Sequence, residues 1–143
     1  MYLLGFNFNL SAKNKSMKYN NLDKGSAMSL LHSEGKVIKG INLFNKGLFI
    51  TFKDSVLKIF DDGQSCCEYR YMHTEDDLKD YIGTTFKSLE KKEHKRSEID
   101  TFDILDSQFL DINTSKGVLQ ICSYNEHNGY YGGFDIVCEL ENL

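Results

Sequence analysis

Three short apolar runs follow one another between residues 37 and 61, at 37–43, 47–52 and 56–61, each rich in β-branched or aromatic side chains. Asn45-Lys46-Gly47 and Lys53-Asp54-Ser55 separate them. Turn-forming residues at those intervals predict a meander of three antiparallel strands. Tyr69 to His73 reads as a fourth strand. Residues 84–89, 102–105, 109–112, 118–122 and 134–140 add further strands, and Ser115-Lys116-Gly117 marks a hairpin turn. In the last run Phe134, Ile136 and Cys138 alternate with Asp135, Val137 and Glu139, so one face is expected in the core.

Helical signals are few. Thr74 has the chemistry of an N-cap, and Asp77 follows three residues later as in a capping box. Leu78, Tyr81 and Ile82 then fall on one face, and Gly83 supplies a stop. Residues 27–32 read as a second, shorter helix ended by Gly35. Residues 91–97 hold four lysines or arginines and read as a solvated loop or strand end. The expected class is α+β: a mostly antiparallel sheet with one or two short helices packed on it.

At 143 residues the chain is sized for one domain with its own core. Residues 1–28 differ from the rest. Phe6, Phe8 and Leu10 alternate with Asn7 and Asn9, and a polar run follows. This reads as an N-terminal arm that docks on the body or on another subunit, or as a tail, with 29–143 as the domain proper. The formal net charge of −4 disfavours DNA or RNA as a main partner, although a local positive pocket remains compatible with a small anion. No window approaches the ~20 apolar residues of a membrane span, so no membrane partner is expected. The apolar start is too short for a signal core. Four cysteines, Cys66, Cys67, Cys122 and Cys138, include no Cys-x-x-Cys pair, so no metal or other cofactor is expected. Free thiols in a reduced, cytoplasmic setting are the expectation.

Two segments concentrate functional side chains. The first is Asn125-Glu126-His127-Asn128-Gly129-Tyr130-Tyr131-Gly132-Gly133-Phe134. Asn128-Gly129 alone closes a hairpin, since both residues tolerate positive φ. The remaining glycines allow close backbone approach, the tyrosines offer flat faces, and Asn and His bring donors and acceptors. That mixture suits a flat polar ligand or a partner chain; the plainer alternative is a tight hairpin carrying tyrosines on its outer strand. The second segment runs from Asp61 to Arg70 and contains Cys66-Cys67-Glu68. Its small thiols suit close packing. Glu68 is a candidate for a ligand hydroxyl or an intersubunit amide, and Arg70, one of two arginines, for a phosphate.

Catalysis is poorly supported. His32, His73, His94 and His127 are scattered, and no nucleophile elbow, P-loop or His-Glu-x-x-His is present. A thiol such as Cys66 with His73 or His127 could form a Cys–His pair across the fold, but two such residues often coexist by chance in a chain of this size.

Taken together, Cys66-Cys67-Glu68, Asp77-Leu78 through Ile82-Gly83, and Asn128-Gly129-Tyr130-Tyr131 resemble, in order and spacing, the first type of phage Thoeris anti-defence proteins. The same motifs mark a wider phage and bacterial family. The resemblance spans about residues 37–139 and leaves out 1–28. It implies a non-catalytic sponge that sequesters cyclic ADP-ribose isomers made by TIR-domain sensors, in some members cyclic oligonucleotides, and that assembles as dimers or hexamers with pockets at subunit interfaces. One position departs: where the sponge proteins carry an arginine before the Asn-Gly-Tyr-Tyr turn, this chain has Cys122. Arg70 or a lysine then substitutes, or the ligand differs.

The expected function is therefore sequestration of a small nucleotide signal in the host cytoplasm by a homodimer or larger homo-oligomer. The candidate ligand-binding residues are Glu68, Arg70, Asn125, His127, Asn128, Tyr130 and Tyr131. Cys66, Cys67 and Gly129 are expected to be structural. Tyr130 and Tyr131 would face opposite ways if they lie on a strand. The alternative function is a protein-binding inhibitor of a host defence protein, with the same tyrosines as interface anchors.

Overall fold

In the computed structural model, residues 18–63, 66–100, 103–130 and 132–143 are described. The meander forms where the apolar runs predict it: β1 (Gly40–Phe44), β2 (Gly47–Thr51) and β3 (Ser55–Asp61) pair antiparallel in sequence order. Gly47 suits the first turn, because a Cβ there would crowd Ile59 O and Phe60 Cβ at 3.0 Å. β8 (Ile136–Asn142) adds to the far side of β3, giving a sheet of order β1-β2-β3-β8. The second sheet has order β4-β7-β6-β5 and contains β4 (Tyr69–His73), β5 (Phe86–Glu98), β6 (Ile104–Thr114) and β7 (Val118–His127). Every named strand pairing is antiparallel. The inner faces share one apolar core, with Leu48, Ile50, Leu57 and Ile59 on one side and Leu89, Leu110, Ile112, Leu119 and Ile121 on the other. The expected class holds in its coarse form. The protein is mostly antiparallel β-sheet, with a single α-helix and a 3-10 turn among the described residues, and is nearly all β.

The helical expectations exchange places. The α-helix, α1, is Lys24–Ser33, capped by Asp23, whose Oδ2 accepts from Ser26 N at 3.0 Å. It buries Ser26, Ala27, Leu30 and Ser33. The division after residue 28 therefore cuts a helix, and residues 18–28 belong to the body: Tyr19 is buried in the core. Residues 1–17 lie outside the described residues. The better-marked helix is only a 3-10 turn, Leu78–Tyr81, with Asp77 as its cap and no residue fully buried. The groups that would cap a longer helix are shared with a neighbouring strand, although Thr74 Oγ1 also accepts from Asp76 N at 3.1 Å. Thr74 Oγ1 donates to Gln120 O at 2.7 Å, and Asp76 Oδ2 accepts from Gln120 N at 2.9 Å, so both dress the edge of β7.

Two other strand expectations are corrected. Residues 102–105 and 109–112 are not separate strands; β6 runs through Asp106-Ser107-Gln108 without a break. The apolar pattern lapses there because Asp106 and Gln108 point inward and are buried as polar groups. Residues 91–97, expected as loop or strand end, lie inside β5, although they are largely exposed. Finally, α1 guards an edge. Ser26 Oγ accepts from Cys138 N at 2.8 Å and Ser29 Oγ from Leu140 N at 3.2 Å, which occupies the outward amides of β8.

β5, β6 and β7 have 13, 11 and 10 residues, against 5 to 7 for the strands of the first sheet. The second sheet thus overhangs the first. Along β6 and β7 its inward positions change from apolar (Leu110, Ile112, Leu119, Ile121) to polar (Asp106, Gln108, Ser123, Asn125, His127), and all are buried.

Candidate functional site

The polar half of that inner face is roofed by residues 128–130 and 132–135, on the crossover from β7 in one sheet to β8 in the other. The plainer alternative, a tight hairpin closed at Asn128-Gly129, does not form, because β8 pairs with β3 and not with β7. The glycines permit the descent of this crossover onto the sheet. Gly132 has φ +144°, and a Cβ on it would lie 2.9 Å from Arg96 Nη2 and 3.0 Å from Asp106 Oδ2.

Two clusters hold the roof down. In the first, Arg70 Nη1 donates to Asp61 Oδ2 at 2.7 Å and to Gly133 O at 3.1 Å, while Nη2 donates to Glu68 Oε2 at 2.8 Å. Asn125 Nδ2 bridges the same two acceptors, Glu68 Oε2 at 2.7 Å and Gly133 O at 3.2 Å. Asp61 Oδ1 accepts from Asp135 N at 2.9 Å and from Gly63 N at 3.1 Å, tying the roof to the end of β3. Burial works against the Arg70 charge, but Asp61 and Glu68 outweigh it and raise the guanidinium's pKa.

In the second cluster, Asp106 receives Arg96 Nε on Oδ1 at 2.8 Å and Nη2 on Oδ2 at 3.0 Å. His127 Nε2 lies 2.7 Å from Asp106 Oδ2, and His94 Nε2 lies 3.4 Å from Oδ1. Burial pushes the Asp106 carboxyl up, yet the hydrogen bonds from Arg96 and His127 override it and hold the group well below the usual carboxylate range. Gly129 N donates to His127 Nδ1 at 3.0 Å. Nδ1 is thus an acceptor and Nε2 carries the proton toward Asp106. Both ring nitrogens serve the fold, which leaves neither to take a proton from a bound substrate. Phe134 closes the far side by packing edge-on to His94, with centroids 5.4 Å apart.

The sequence-identified residues divide accordingly. Glu68, Arg70, Asn125 and His127 converge beneath the roof, and all but Glu68 contact its backbone directly. Arg70 is engaged by two carboxylates and a carbonyl, so it acts here as an internal clamp. Asn128 is exposed, and its Oδ1 accepts from Tyr130 N at 3.1 Å, shaping the tip. Tyr130 is 84% exposed and stands in the crossover, not on a strand, so strand alternation does not orient it. Tyr131 lies outside the described residues. Gly129, with φ +92°, has the backbone its role needs. Cys66 and Cys67 are both exposed, which corrects the expectation that their small thiols serve close packing. Cys122 falls on the outward side of β7, opposite Phe109, on the face away from the roof.

Arg96, Asp106, Asp61 and Gly132 were not anticipated as parts of the site. The available signal was the pair of inward polar residues, Asp106 and Gln108, interrupting an apolar pattern. A tyrosine ladder crosses the outer face: Tyr69 and Tyr71 have centroids 5.0 Å apart, and Tyr71 stacks on Tyr124 at 5.1 Å. The Tyr124 hydroxyl is pushed up to about 12 by its hydrogen bond to Cys122 and by burial.

These features define a class: an antiparallel two-sheet domain whose overhanging polar face is closed by a glycine-rich crossover. The chain belongs to the family described as a domain of unknown function (DUF7448), whose profile matches residues 32–137 and so contains every residue of both clusters. No curated protein and no solved structure matches the chain significantly. Among the described residues, no helix is long and apolar enough to cross a membrane.

Proposed function

We propose that this protein binds a small nucleotide signal without turning it over, at the roof formed by residues 128–130 and 132–135. One observation carries the reading: the roof is fixed from beneath by buried side chains, while Tyr130 at its tip is 84% exposed. A seated tip with a largely exposed aromatic side chain suits stacking on a base, and the glycines leave room for close backbone approach to ribose and phosphate. The use of both His127 nitrogens inside the fold supports binding without turnover. The motifs shared with Thoeris anti-defence sponges extend the proposal to a cyclic ADP-ribose isomer or cyclic oligonucleotide as ligand, the host cytoplasm as setting, and a homodimer or larger homo-oligomer as the working form. With Arg70 neutralised, contacts to phosphate fall to backbone amides and to lysines.

The experiment is to incubate purified protein with products of activated TIR and cyclic-nucleotide synthases, wash it, heat it and analyse what is released. Intact signal supports sequestration, and an altered product identifies an enzyme. No nucleotide at all favours the second reading, a protein-binding inhibitor of a host defence protein. The observation behind that alternative is the outer tyrosine ladder, where Tyr69 is 56% exposed beside Tyr71 and Tyr124.

A further inference from the structure

The segment leading into β4 carries two thiols that the fold leaves to solvent. Cys66 and Cys67 are exposed, and their Sγ atoms lie 3.0 Å apart. In an extended strand, successive side chains point to opposite faces. Here both thiols come to one side, and Cys67, with φ 72°, is the one non-glycine residue among the described residues in the left-handed region. The other cysteines, Cys122 and Cys138, are buried, and burial pushes both thiols up, Cys138 to about 12. Redox chemistry is therefore confined by access to the adjacent pair. A hydrogen bond with Cys66 also raises the Cys67 thiol.

We propose that Cys66 and Cys67 are a redox modification site, a vicinal dithiol that closes reversibly to a Cys66–Cys67 disulfide by exchange with a low-molecular-weight disulfide of the glutathione type. One cysteine, as thiolate, attacks a sulfur of the oxidised reagent. A protein–glutathione bond forms, the reagent's S–S bond breaks, and one glutathione thiolate leaves. The second cysteine loses its proton to solvent and attacks the protein-side sulfur, expelling the second glutathione thiolate. The protein gives up two protons and two electrons, and the reagent becomes two thiols.

The second step is intramolecular between sulfurs already in contact, so it outruns capture of another glutathione. Adjacent Cα atoms sit about 3.8 Å apart, short of the roughly 4.4–6.8 Å found across most disulfides, so the bridge is a reversible closure and not a permanent staple. The pair also sits one peptide from Glu68, whose carboxylate holds Arg70 and Asn125, and both of those hold Gly133 O.

The test uses the full chain with oxidised glutathione, read by intact mass without reductant and by peptide mapping. The expected product has lost two hydrogens at Cys66–Cys67 and regains them with dithiothreitol. Cys66→Ser and Cys67→Ser should each stop at a stable glutathione adduct on the remaining thiol. Phenylarsine oxide, which bridges paired thiols, should add once to the parent and be retained by neither variant. A parent that accumulates the mixed adduct, bridges between chains or keeps its mass overturns the proposal, as does arsenical retention by a single-serine variant. The readout is mass, so the outcome is separate from that of the nucleotide reading.

Discussion

Asp106 is the residue on which the roof's second cluster turns. It is fully buried, receives a guanidinium that is half exposed, and holds the imidazole that in turn receives Gly129 N. In an unfolded chain such a carboxyl titrates near ~3.9. The folded value is depressed, so the ionised group contributes stability that is present above about pH 4 and drains away as the pH falls through the folded-state range. Replacing Asp106 with Asn keeps the shape but removes the charge. At pH 7 it should lower unfolding free energy by roughly 1–3 kcal/mol, the usual consequence of leaving a buried hydrogen-bonding group poorly matched. Urea titrations of parent and variant, compared at pH 7 and pH 3, check both parts. A difference that does not shrink at low pH would show that the carboxylate charge is not what holds the roof. Arg70 makes a second case. Arg70→Gln removes the cation that Asp61 and Glu68 share, so it should destabilise by about 3 kcal/mol, with the loss appearing in the same urea midpoints.

At the level of the element, the crossover depends on glycine for different reasons at neighbouring positions. Gly132 and Gly133 both have positive φ, but only Gly132 lacks space for a side chain. Gly133→Ala should cost about 1 kcal/mol from backbone strain alone. Gly132→Ala should cost more, since its methyl meets Asp106 and Arg96 as well. Equal thermal shifts for the two variants would mean the roof does not sit on Asp106 as described. The elements were legible where burial follows apolarity: the β1–β3 meander, β4, the first half of β7, and β8 with its alternation. They were hidden where polar groups take inward positions, as Asp106 and Gln108 do in β6, or where a capping group serves a neighbouring strand, as Thr74 does. Helix α1 gave a weak signal because half of its buried residues are serines, and Ser26 is spent on the β8 edge. The site was half legible for the same reason. Its two dense motifs converge on one carbonyl, Gly133 O, but the Arg96–Asp106 pair arises from a β5–β6 register that no local pattern announces.

For the whole molecule, the sandwich has one apolar end, where both sheets meet, and one polar end, where the longer sheet is covered by a loop. On the proposed reading, stability and recognition fall on different residues. Arg70, Asp106 and Asn125 lie under the roof, so changing them alters fold and binding together. Tyr130 lies on top of it, largely solvated, with its own backbone fixed through Asn128 and the seated glycines. Tyr130→Ala is therefore the substitution that separates the two. Its thermal midpoint should match the parent's. Its affinity for a nucleotide signal bound by the parent should fall by roughly 1–3 kcal/mol, the worth of one aromatic–base stack, or about 5- to 150-fold. Calorimetric titration of parent and variant with the same signal measures it directly. Unchanged affinity would remove Tyr130 from the site and move attention to the outer ladder of Tyr69, Tyr71 and Tyr124. A loss of affinity accompanied by a lower midpoint would instead make the tyrosine part of what holds the roof in place.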